Sequence, residues 1–354
     1  MSLENLQGTA ENPSPSALRA AAHAAGEVAI DTPRVVVFKF GGSSLLGADR
    51  MLHAASLVSA ATHFSKVAVV VSAMKGVTDR LLSIAEDLAR GKPERARWEA
   101  ESILHLHFDV LHDLCLREEH SLCIRREIQL LGRDLLHEVP LHGLVVANSE
   151  LYDRLASFGE RFCARLFAAA LEKLGITSVP VTSSEFVVTC DTFREAKPHL
   201  DLTKRRGREI LLPLLDTGIV PVVTGFIGST ADGRIATLGR NSSDFSGAIV
   251  AHVLDAAELV IWTDVDGIFT ANPSECAEAR LLHELSYDEA HALVASGAKV
   301  LHAKVLPLAA ETEMVVWIRN TFNPQARGTR IASSRAAQVS GSALSKASQQ
   351  DDAA

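Results

Sequence analysis

The sequence is poor in several features that would quickly assign a protein to a class. Its five cysteines form no CxxC pair and leave an odd number, which argues against a disulfide framework and a zinc cluster. No apolar run approaches the roughly 20 residues that a membrane-spanning helix requires, and residues 1–33 lack the basic-then-apolar order of a secretory signal. The formal net charge of −8 disfavours a nucleic-acid surface, because phosphate backbones are bound by clustered Lys and Arg. We therefore expect a cytoplasmic protein that binds small molecules and neither nucleic acid nor membranes.

The composition predicts one folded region, residues 34–332, between two disordered ends. The 354 residues are 47% hydrophobic, which supplies a sizeable core. Residues 1–33 are rich in Ala, Ser and Pro, and residues 333–354 in Ala, Ser and Gln with an acidic end. Residues 1–33 carry no strand signal, so we predict a disordered arm. Residues 333–354 cannot bury enough apolar area to fold alone, so we predict a disordered tail. An organelle targeting segment is disfavoured by Glu4, Glu11 and the scarcity of Arg.

Within the folded region, short apolar runs alternate with amphipathic helical stretches, a pattern typical of the α/β class. The runs are apolar almost throughout, as expected of strands in a parallel or mixed sheet that helices cover on both faces. The predicted strands are 34–40, 66–72, 177–182, 219–224, 258–263 and 314–319. The predicted helices are 48–63, 77–90, 159–174, 203–217, 244–255 and 286–296.

Two segments depart from this alternation. Residues 93–157 contain no convincing strand, and their apolar positions recur at helical spacing, so we predict a helical insertion. In residues 226–238, Asp232 and Gly233 form a pair that suits a tight turn, which predicts a β-hairpin.

The first chemically distinctive segment ends the strand 34–40, where Lys39 precedes Gly41, Gly42 and the hydroxyl of Ser43. Glycines at this point let backbone N–H groups approach an anion closely. The order differs from the P-loop pattern, in which the lysine follows the glycines. The segment indicates either a different geometry for binding phosphate or a simple strand-to-helix turn.

Hydroxyl and charged side chains occur near other element ends. Ser72 and Thr78 lie between the second predicted strand and the next helix, in a position that lines the ligand crevice of open α/β sheets. They are candidates for substrate contacts or for a helix cap. Glu160 and Arg161, at the predicted start of helix 159–174, indicate either a surface feature or a ligand clamp.

The loop 239–244 has no apolar side chain, and its Ser and Asp residues can cap the following helix while free N–H groups face outward. Such an end attracts phosphate or carboxylate, although an ordinary capped loop has the same composition. Thr263 and Asp264 follow a buried strand, where a carboxylate can hold Mg²⁺ indirectly or contact the ribose and base of a nucleotide. Lys299 is a second lysine that follows a glycine, and its alternative is an ordinary exposed side chain.

Eight motifs, in this order, resemble the catalytic domain of aspartate kinases, members of the amino acid kinase superfamily. They are KFGGSS, VVSAMKGVTD, SFGERF, LGRNSSDFSGA, WTDVDGIFT, LSYDEA, SGAKVLH and IRNTFNPQARGT. The resemblance covers residues 34 to about 331, and the Arg240–Asn241 version of the loop looks most like the kinase half of bifunctional aspartokinase-homoserine dehydrogenases. It implies a three-layer αβα sandwich with a mostly parallel central sheet, in which residues 226–332 form the nucleotide-binding part.

The resemblance implies ATP-dependent phosphorylation of the β-carboxylate of L-aspartate to 4-phospho-L-aspartate, with ATP and Mg²⁺ as cofactors. This reaction is the entry to lysine, threonine and methionine biosynthesis. A carboxylate is already ionised at neutral pH, so such a kinase needs no catalytic base but must neutralise two anions that meet in line. Family members commonly dimerise, so the resemblance allows a homodimer.

The resemblance also implies a role for each candidate residue. Lys39 and Lys299 would neutralise the transferring phosphoryl group, and Asp244 would orient Lys39. Arg240 would pair with a substrate carboxylate, and Glu160 would receive the α-ammonium. The other implied amino-acid contacts are Ser72, Thr78 and Ser243. The other implied ATP contacts are Gly41, Gly42, Ser43, Thr263, Asp264 and Phe269, the last standing where the family commonly has tyrosine.

Several features depart from the family pattern, of which His302-Ala303-Lys304 in place of the usual His-Pro-Arg is the mildest. Asn272-Pro273-Ser274 replaces the usual Asp-Pro-Arg, and Ser242 stands in place of a loop glycine. We also expect no ACT domain, the regulatory domain that binds lysine or threonine in many aspartate kinases. Two alternatives stay open: a catalytically weak paralogue that serves as a binding or regulatory subunit, and a kinase for another carboxylate such as N-acetylglutamate. The acetylated amine of the latter offers Glu160 no ammonium.

Overall fold

The computed structural model describes residues 34–141, 148–271, 276, 278–295 and 301–333. The predicted arm, residues 1–33, lies outside this part of the chain, as does the predicted tail beyond Ser333. No helix of the described part is long and apolar enough to cross a membrane.

An eight-stranded sheet with helices on both faces organises the described chain. The strands are β1 (Val35–Phe40), β2 (Lys66–Val71), β3 (Ser178–Val181), β4 (Val188–Thr189), β5 (Val220–Thr224), β6 (Ile227–Thr230), β7 (Ile235–Thr237), β8 (Glu258–Thr263), β9 (Ile268–Phe269), β10 (Leu281–Leu282), β11 (Glu284–Ser286), β12 (Val315–Asn320) and β13 (Thr329–Ala332). The helices are α1 (Ala48–Thr62), α2 (Val77–Ala89), α3 (Pro93–Asp113), α4 (Glu118–His137), α5 (Ser149–Lys173), α6 (Leu200–Asp216), α7 (Ser243–Val253), α8 (Tyr287–Ala295) and α9 (Val305–Glu311).

The strand order of the main sheet is β11-β13-β12-β8-β1-β2-β5-β3. From β12 to β3 all neighbours are parallel, and β13 joins β12 in the antiparallel direction. All six predicted strands belong to this sheet, with ends shifted by one residue at most. The predicted α/β class with a mostly parallel central sheet is confirmed.

Side chains alternate between the two faces of the central strands and so enter two different cores. Val67, Val69 and Val71 of β2 pack with α1 to α5, whereas Ala68 and Val70 pack with α6, α7 and α9. Because β2 carries apolar side chains on both of its faces, the strand is stable only between two helical layers. The result is the three-layer αβα sandwich that the resemblance implied.

Within the segment 93–157, the described residues form α3, α4 and the first part of α5, with short non-helical stretches at 114–117 and 138–141. The prediction that a helix begins at residue 159 is wrong, because α5 begins at Ser149 and runs through that point without a break. Its cap is Asn148, whose Oδ1 accepts a hydrogen bond from Leu151 N at 2.9 Å. The last part of the predicted insertion and the predicted helix after it are therefore one continuous helix.

The predicted hairpin is present as β6 and β7, which pair in the antiparallel direction. Gly233 in its turn has φ +85°, a conformation that glycine adopts without strain. Thr230 N donates to Arg234 O at 2.9 Å and closes the turn. This hairpin leads directly into the loop 239–244.

Candidate active site

The candidate site lies where the carboxyl ends of β1, β2 and β8 meet. β1 is parallel to β2 on one side and to β8 on the other, so the chain changes direction across the sheet at this point. Such topological switch points form the ligand crevice of open α/β sheets. Gly41 N donates to Trp262 O, and Ser72 N donates to Phe40 O, each at 3.2 Å. These bonds hold together the segments that leave the three strands.

Lys39 is the central cation of the site. It shares a strand face with Val37, so its side chain points toward α7. Its Nζ lies 2.6 Å from Asp244 Oδ1 in the first turn of α7, and the residue is 8% exposed. Gly247 lets α7 come close, since a Cβ there would lie 3.3 Å from Lys39 Cβ. His302 N donates to Asp244 Oδ2 at 3.3 Å, so the carboxylate is held from two sides.

The two glycines after β1 have different surroundings. A Cβ on Gly42 would lie 2.6 Å from Ala73 O and 3.0 Å from Lys75 N, so the backbone admits only glycine at this position. A Cβ on Gly41 would meet its neighbours at ordinary contact distances of 3.6 Å or more. The N–H group of Gly41 itself is bonded to Trp262 O at 3.2 Å.

Glu160 lies in the middle of α5 and is 3% exposed. Its Oε1 accepts a hydrogen bond from Ala73 N at 3.1 Å, whereas its Oε2 has no hydrogen-bond partner among the described residues. Burial raises the pKa of this carboxyl to about 8, against smaller lowering effects of hydrogen bonds and of the charge of Lys39. Gly159 permits the contact, since a Cβ there would lie 2.7 Å from Ala73 Cβ. A buried carboxyl oxygen without a partner suits a cationic ligand group.

The loop 239–244 presents Arg240 at the surface of the cleft. Asn241 has φ +60°, which turns the backbone toward α7. The predicted side-chain cap of α7 is wrong: Ser242 is the N-cap residue, but its buried Oγ has no hydrogen-bond partner within the described ranges. Arg240 Nη2 lies 2.7 Å from Asp79 Oδ1 in the first turn of α2, and both side chains are exposed. Arg240 therefore reaches across the cleft to α2.

The three hydroxyl residues predicted as substrate contacts surround the same cleft. Ser72 follows β2 directly, and Thr78 is the second residue of α2; both are half-buried. The capping alternative for Thr78 is wrong, because Gly76 is the N-cap residue of α2 and no side chain caps it. Ser243 begins α7 and is buried against Gly225, where a Cβ would lie 2.9 Å from Ser243 Cβ.

The predicted nucleotide-side residues lie at and beyond the end of β8. Thr263 is half-buried, and its Oγ1 donates to the exposed Asp264 Oδ1 at 3.3 Å. Asp266 stabilises the turn, since its Oδ1 accepts a hydrogen bond from Asn320 Nδ2 at 2.7 Å. Phe269 is half-buried in β9, which pairs with β10 in a separate two-stranded sheet.

Some predicted residues lie outside the described part of the chain. They are Lys299 and the segment with Asn272 and Ser274. Within the part that the structure does describe, no group of three or more His, Cys, Asp or Glu side chains is arranged to hold a metal ion.

Sequence reasoning did not single out two residues that contact the site. Asp79 is an acid in the first turn of a helix, which ordinarily reflects only the helix dipole. Its ion pair with Arg240 depends on the meeting of two distant segments. His302 contacts Asp244 through its backbone N–H, a contact that no side-chain pattern reveals.

Comparison with known proteins yields consistent matches. A model of the amino acid kinase family matches residues 34–320. The chain is 33% identical over 298 residues to lysine-sensitive aspartokinase 3 of Escherichia coli, with 84% of this chain and 64% of that protein covered. It is 32% identical to chloroplastic aspartokinase 1 of Arabidopsis thaliana, with 84% and 52% covered. The chain thus spans between about half and two thirds of these curated relatives.

A solved structure agrees with these matches. The crystal structure of E. coli aspartokinase III in complex with aspartate and ADP has a TM-score of 0.77 to this chain at 32% identity. The match covers 84% of this chain and 64% of that one. The aspartate kinase of Clostridium acetobutylicum, at 22% identity and a TM-score of 0.68, shares the fold.

Proposed function

Since the chain belongs to the amino acid kinase family, we propose that it transfers the γ-phosphoryl group of ATP to the β-carboxylate of L-aspartate, forming 4-phospho-L-aspartate and ADP. Its similarity to aspartokinases supports this substrate, as does the complex of the E. coli relative with aspartate and ADP. The product is the starting point of lysine, threonine and methionine biosynthesis. The observation that carries the proposal is the buried Glu160 carboxyl, of which one oxygen accepts no hydrogen bond from any described residue, in the same cleft as Lys39.

In this proposal, the amino-acid side of the cleft selects a zwitterion. The free Glu160 oxygen binds the α-ammonium, and this contact favours the ionised carboxylate that burial alone disfavours. Arg240 exchanges Asp79 for a carboxylate of the substrate, which its planar fork can bind with two hydrogen bonds. Ser72, Thr78 and Ser243 supply hydroxyl groups around the bound molecule.

Phosphoryl transfer itself needs positive charge and alignment. The nucleophile is a carboxylate that is already ionised at neutral pH, so no side chain has to remove a proton. Lys39, oriented by Asp244, neutralises the phosphoryl oxygens as attacking and leaving groups come into line. Lys299 is proposed as a second such cation.

On the nucleotide side, we assign Thr263, Asp264 and Phe269 to the nucleoside and the backbone around Gly42 and Ser43 to the phosphates. Mg²⁺ neutralises phosphate charge when it arrives with ATP. Among the described residues no group of three or more His, Cys, Asp or Glu side chains could hold a metal ion, which fits an ion held mainly by phosphate oxygens and water, as is usual for Mg²⁺ at kinase sites.

The assay is incubation of the pure protein with MgATP, L-aspartate and hydroxylamine, with aspartyl hydroxamate as the measured product. We expect product from the wild type and none from a folded Lys39→Ala control. Wild-type product no higher than the control overturns the proposal. In that case, thermal stabilisation by L-aspartate without turnover supports a binding subunit. Stabilisation by N-acetylglutamate alone supports the other carboxylate kinase.

A further inference from the structure

Asp153 is a buried carboxylate that the proposed chemistry does not use. It lies on α5 and is 2% exposed. Its Oδ2 accepts hydrogen bonds from Arg194 N and Thr237 N, and its Oδ1 accepts one from Thr237 Oγ1, all at 2.8 Å. The donors come from two segments far from α5 in sequence, so this one carboxylate fastens both segments to the helix.

The position of Asp153 relates it to both ends of the candidate amino-acid site. Glu160 lies seven residues further along α5, which is two helical turns and therefore the same side of the helix. Thr237 ends β7 and lies three residues before Arg240. Asp153 thus connects the helix that carries the proposed ammonium ligand to the base of the loop that carries the proposed carboxylate ligand.

The segment around Arg194 supports the same loop. Arg194 has φ +74°, which is unusual for a residue with a side chain, and its N–H is one of the three donors to Asp153. Its carbonyl oxygen would lie 3.7 Å from a Cβ on Gly239, so the loop glycine passes directly over it. Ala196 N also donates to Thr237 O at 2.9 Å. The segment that donates a hydrogen bond to Asp153 through Arg194 therefore packs against the loop 239–244 and supports it.

Joining three segments through a buried carboxylate costs free energy, because the charged group is removed from water. Burial raises the pKa of Asp153, against the opposing effect of its hydrogen bonds. An apolar residue of similar size would avoid this cost but would leave the three donors without an acceptor, and its packing would not fix the distance between them. Hydrogen bonds to a carboxylate are short and directional, so they specify a geometry.

We propose that Asp153 is a positioning residue that sets the spacing between Glu160 and Arg240, and thereby the distance between the ammonium and carboxylate groups that the site accepts. The inference rests on the proposed function. It assigns substrate discrimination to a residue that touches no substrate.

The test uses three variants. Thr237→Val removes only the hydroxyl bond and keeps the backbone bond, Asp153→Asn weakens all three, and Thr237→Ser restores the hydroxyl. We expect the KM for L-aspartate to rise about fivefold in Thr237→Val and about tenfold or more in Asp153→Asn, at roughly 1 kcal/mol per hydrogen bond. The KM for MgATP should change less than about twofold, because the nucleotide side does not depend on this spacing. Thr237→Ser should behave as the wild type.

Asp232→Asn is the matched control. Asp232 is an exposed carboxylate of the same β6–β7 hairpin, where it accepts hydrogen bonds from Thr230 and Arg234. We expect its KM values to be unchanged. An active wild type whose KM for L-aspartate is unaffected by Thr237→Val overturns the positioning role alone, as does an equal rise of both KM values. A wild type that makes no hydroxamate overturns the proposed function instead. If Asp153→Asn does not fold, Thr237→Val and Thr237→Ser still decide the question.

Discussion

Lys39 and Asp244 form an ion pair of 2.6 Å with side chains that are only 10% and 14% exposed. The lysine lies near the end of the central strand β1 and the aspartate lies in the first turn of the helix packed on it, so the pair connects the sheet to α7. A buried pair of this kind loses stability when one partner is removed, because the other charge remains buried without compensation.

Lys39→Met should therefore destabilise the fold by about 3 kcal/mol, and Asp244→Asn by a similar or smaller amount. The double variant should recover much of the loss, since neither charge is then left alone. Turnover should not recover: variants without Lys39 should lose it by about a thousandfold, as expected when a preorganised charge is removed. Urea denaturation and the hydroxamate assay measure the two effects. A double variant that is active would exclude Lys39 from phosphoryl transfer.

The strands were predictable because their apolar runs follow directly from burial on both faces, as the alternation of Val69 and Val70 between two cores illustrates. The start of α5, in contrast, could not be predicted from the sequence. Ser157 and Gly159 look like a helix start in sequence, whereas Gly159 is in fact the point where α5 passes Ala73. Where two distant segments pack closely, the only sign of it in the sequence is a glycine. A glycine can occur for several other reasons, so the close approach cannot be predicted from it.

The same limit applies to the site. Lys39 and its glycines could be singled out because strand, charge and glycine are adjacent in sequence. The partners of charged groups could not be, since Arg240 with Asp79 and Asp153 with Thr237 meet only in the folded chain. Periodicity indicates which face of an element is buried but does not identify the residue opposite.

Gly42→Ala should disrupt the cleft, whereas Gly41→Ala should not disturb the fold. The added Cβ of the first would press on backbone atoms of Ala73 and Lys75, which cannot move independently. We expect a loss of about 1–3 kcal/mol in the free energy of unfolding, as for other overpacked sites. Gly41 has φ −77°, which any residue adopts, and its added Cβ meets only ordinary contacts. Equal stability losses in the two variants, measured by urea denaturation, would contradict this packing argument.

Glu160→Gln should stabilise the protein at alkaline pH while it prevents aspartate binding. Burial raises the pKa of the Glu160 carboxyl from 4.5 to about 8. Between these values the folded protein holds a proton that the unfolded chain has released, so this group's contribution to stability falls as pH rises and is fully lost above the folded pKa. Glutamine has no proton to release.

The stability advantage of Glu160→Gln should therefore grow by about 2.5 kcal/mol between pH values of roughly 6 and 8.5, at about 1.4 kcal/mol per pKa unit. Parallel thermal denaturation of both proteins across this range measures the change. We do not expect the substitution to remove the contact with Ala73, since the oxygen of the Gln amide can still accept the hydrogen bond from Ala73 N. A difference that is constant with pH would show that the carboxyl is ionised throughout. Retained stabilisation by L-aspartate in the variant would exclude Glu160 as the ammonium ligand.

Asp79→Asn should tighten aspartate binding. In the free protein Arg240 binds the Asp79 carboxylate, the same chemical group that the proposed substrate offers, so the two carboxylates compete. Both side chains are about 70% exposed, and such pairs contribute about 0.2–1 kcal/mol, so release of Arg240 should lower the KM for L-aspartate by no more than about fivefold. The KM for MgATP should not change. Asp216→Asn is the control, because it breaks the surface pair between Lys66 and Asp216 away from the cleft and should leave both KM values unchanged. A higher KM for L-aspartate in Asp79→Asn would mean that Asp79 holds Arg240 in the geometry that binds substrate, because loss of a competitor can only lower the KM.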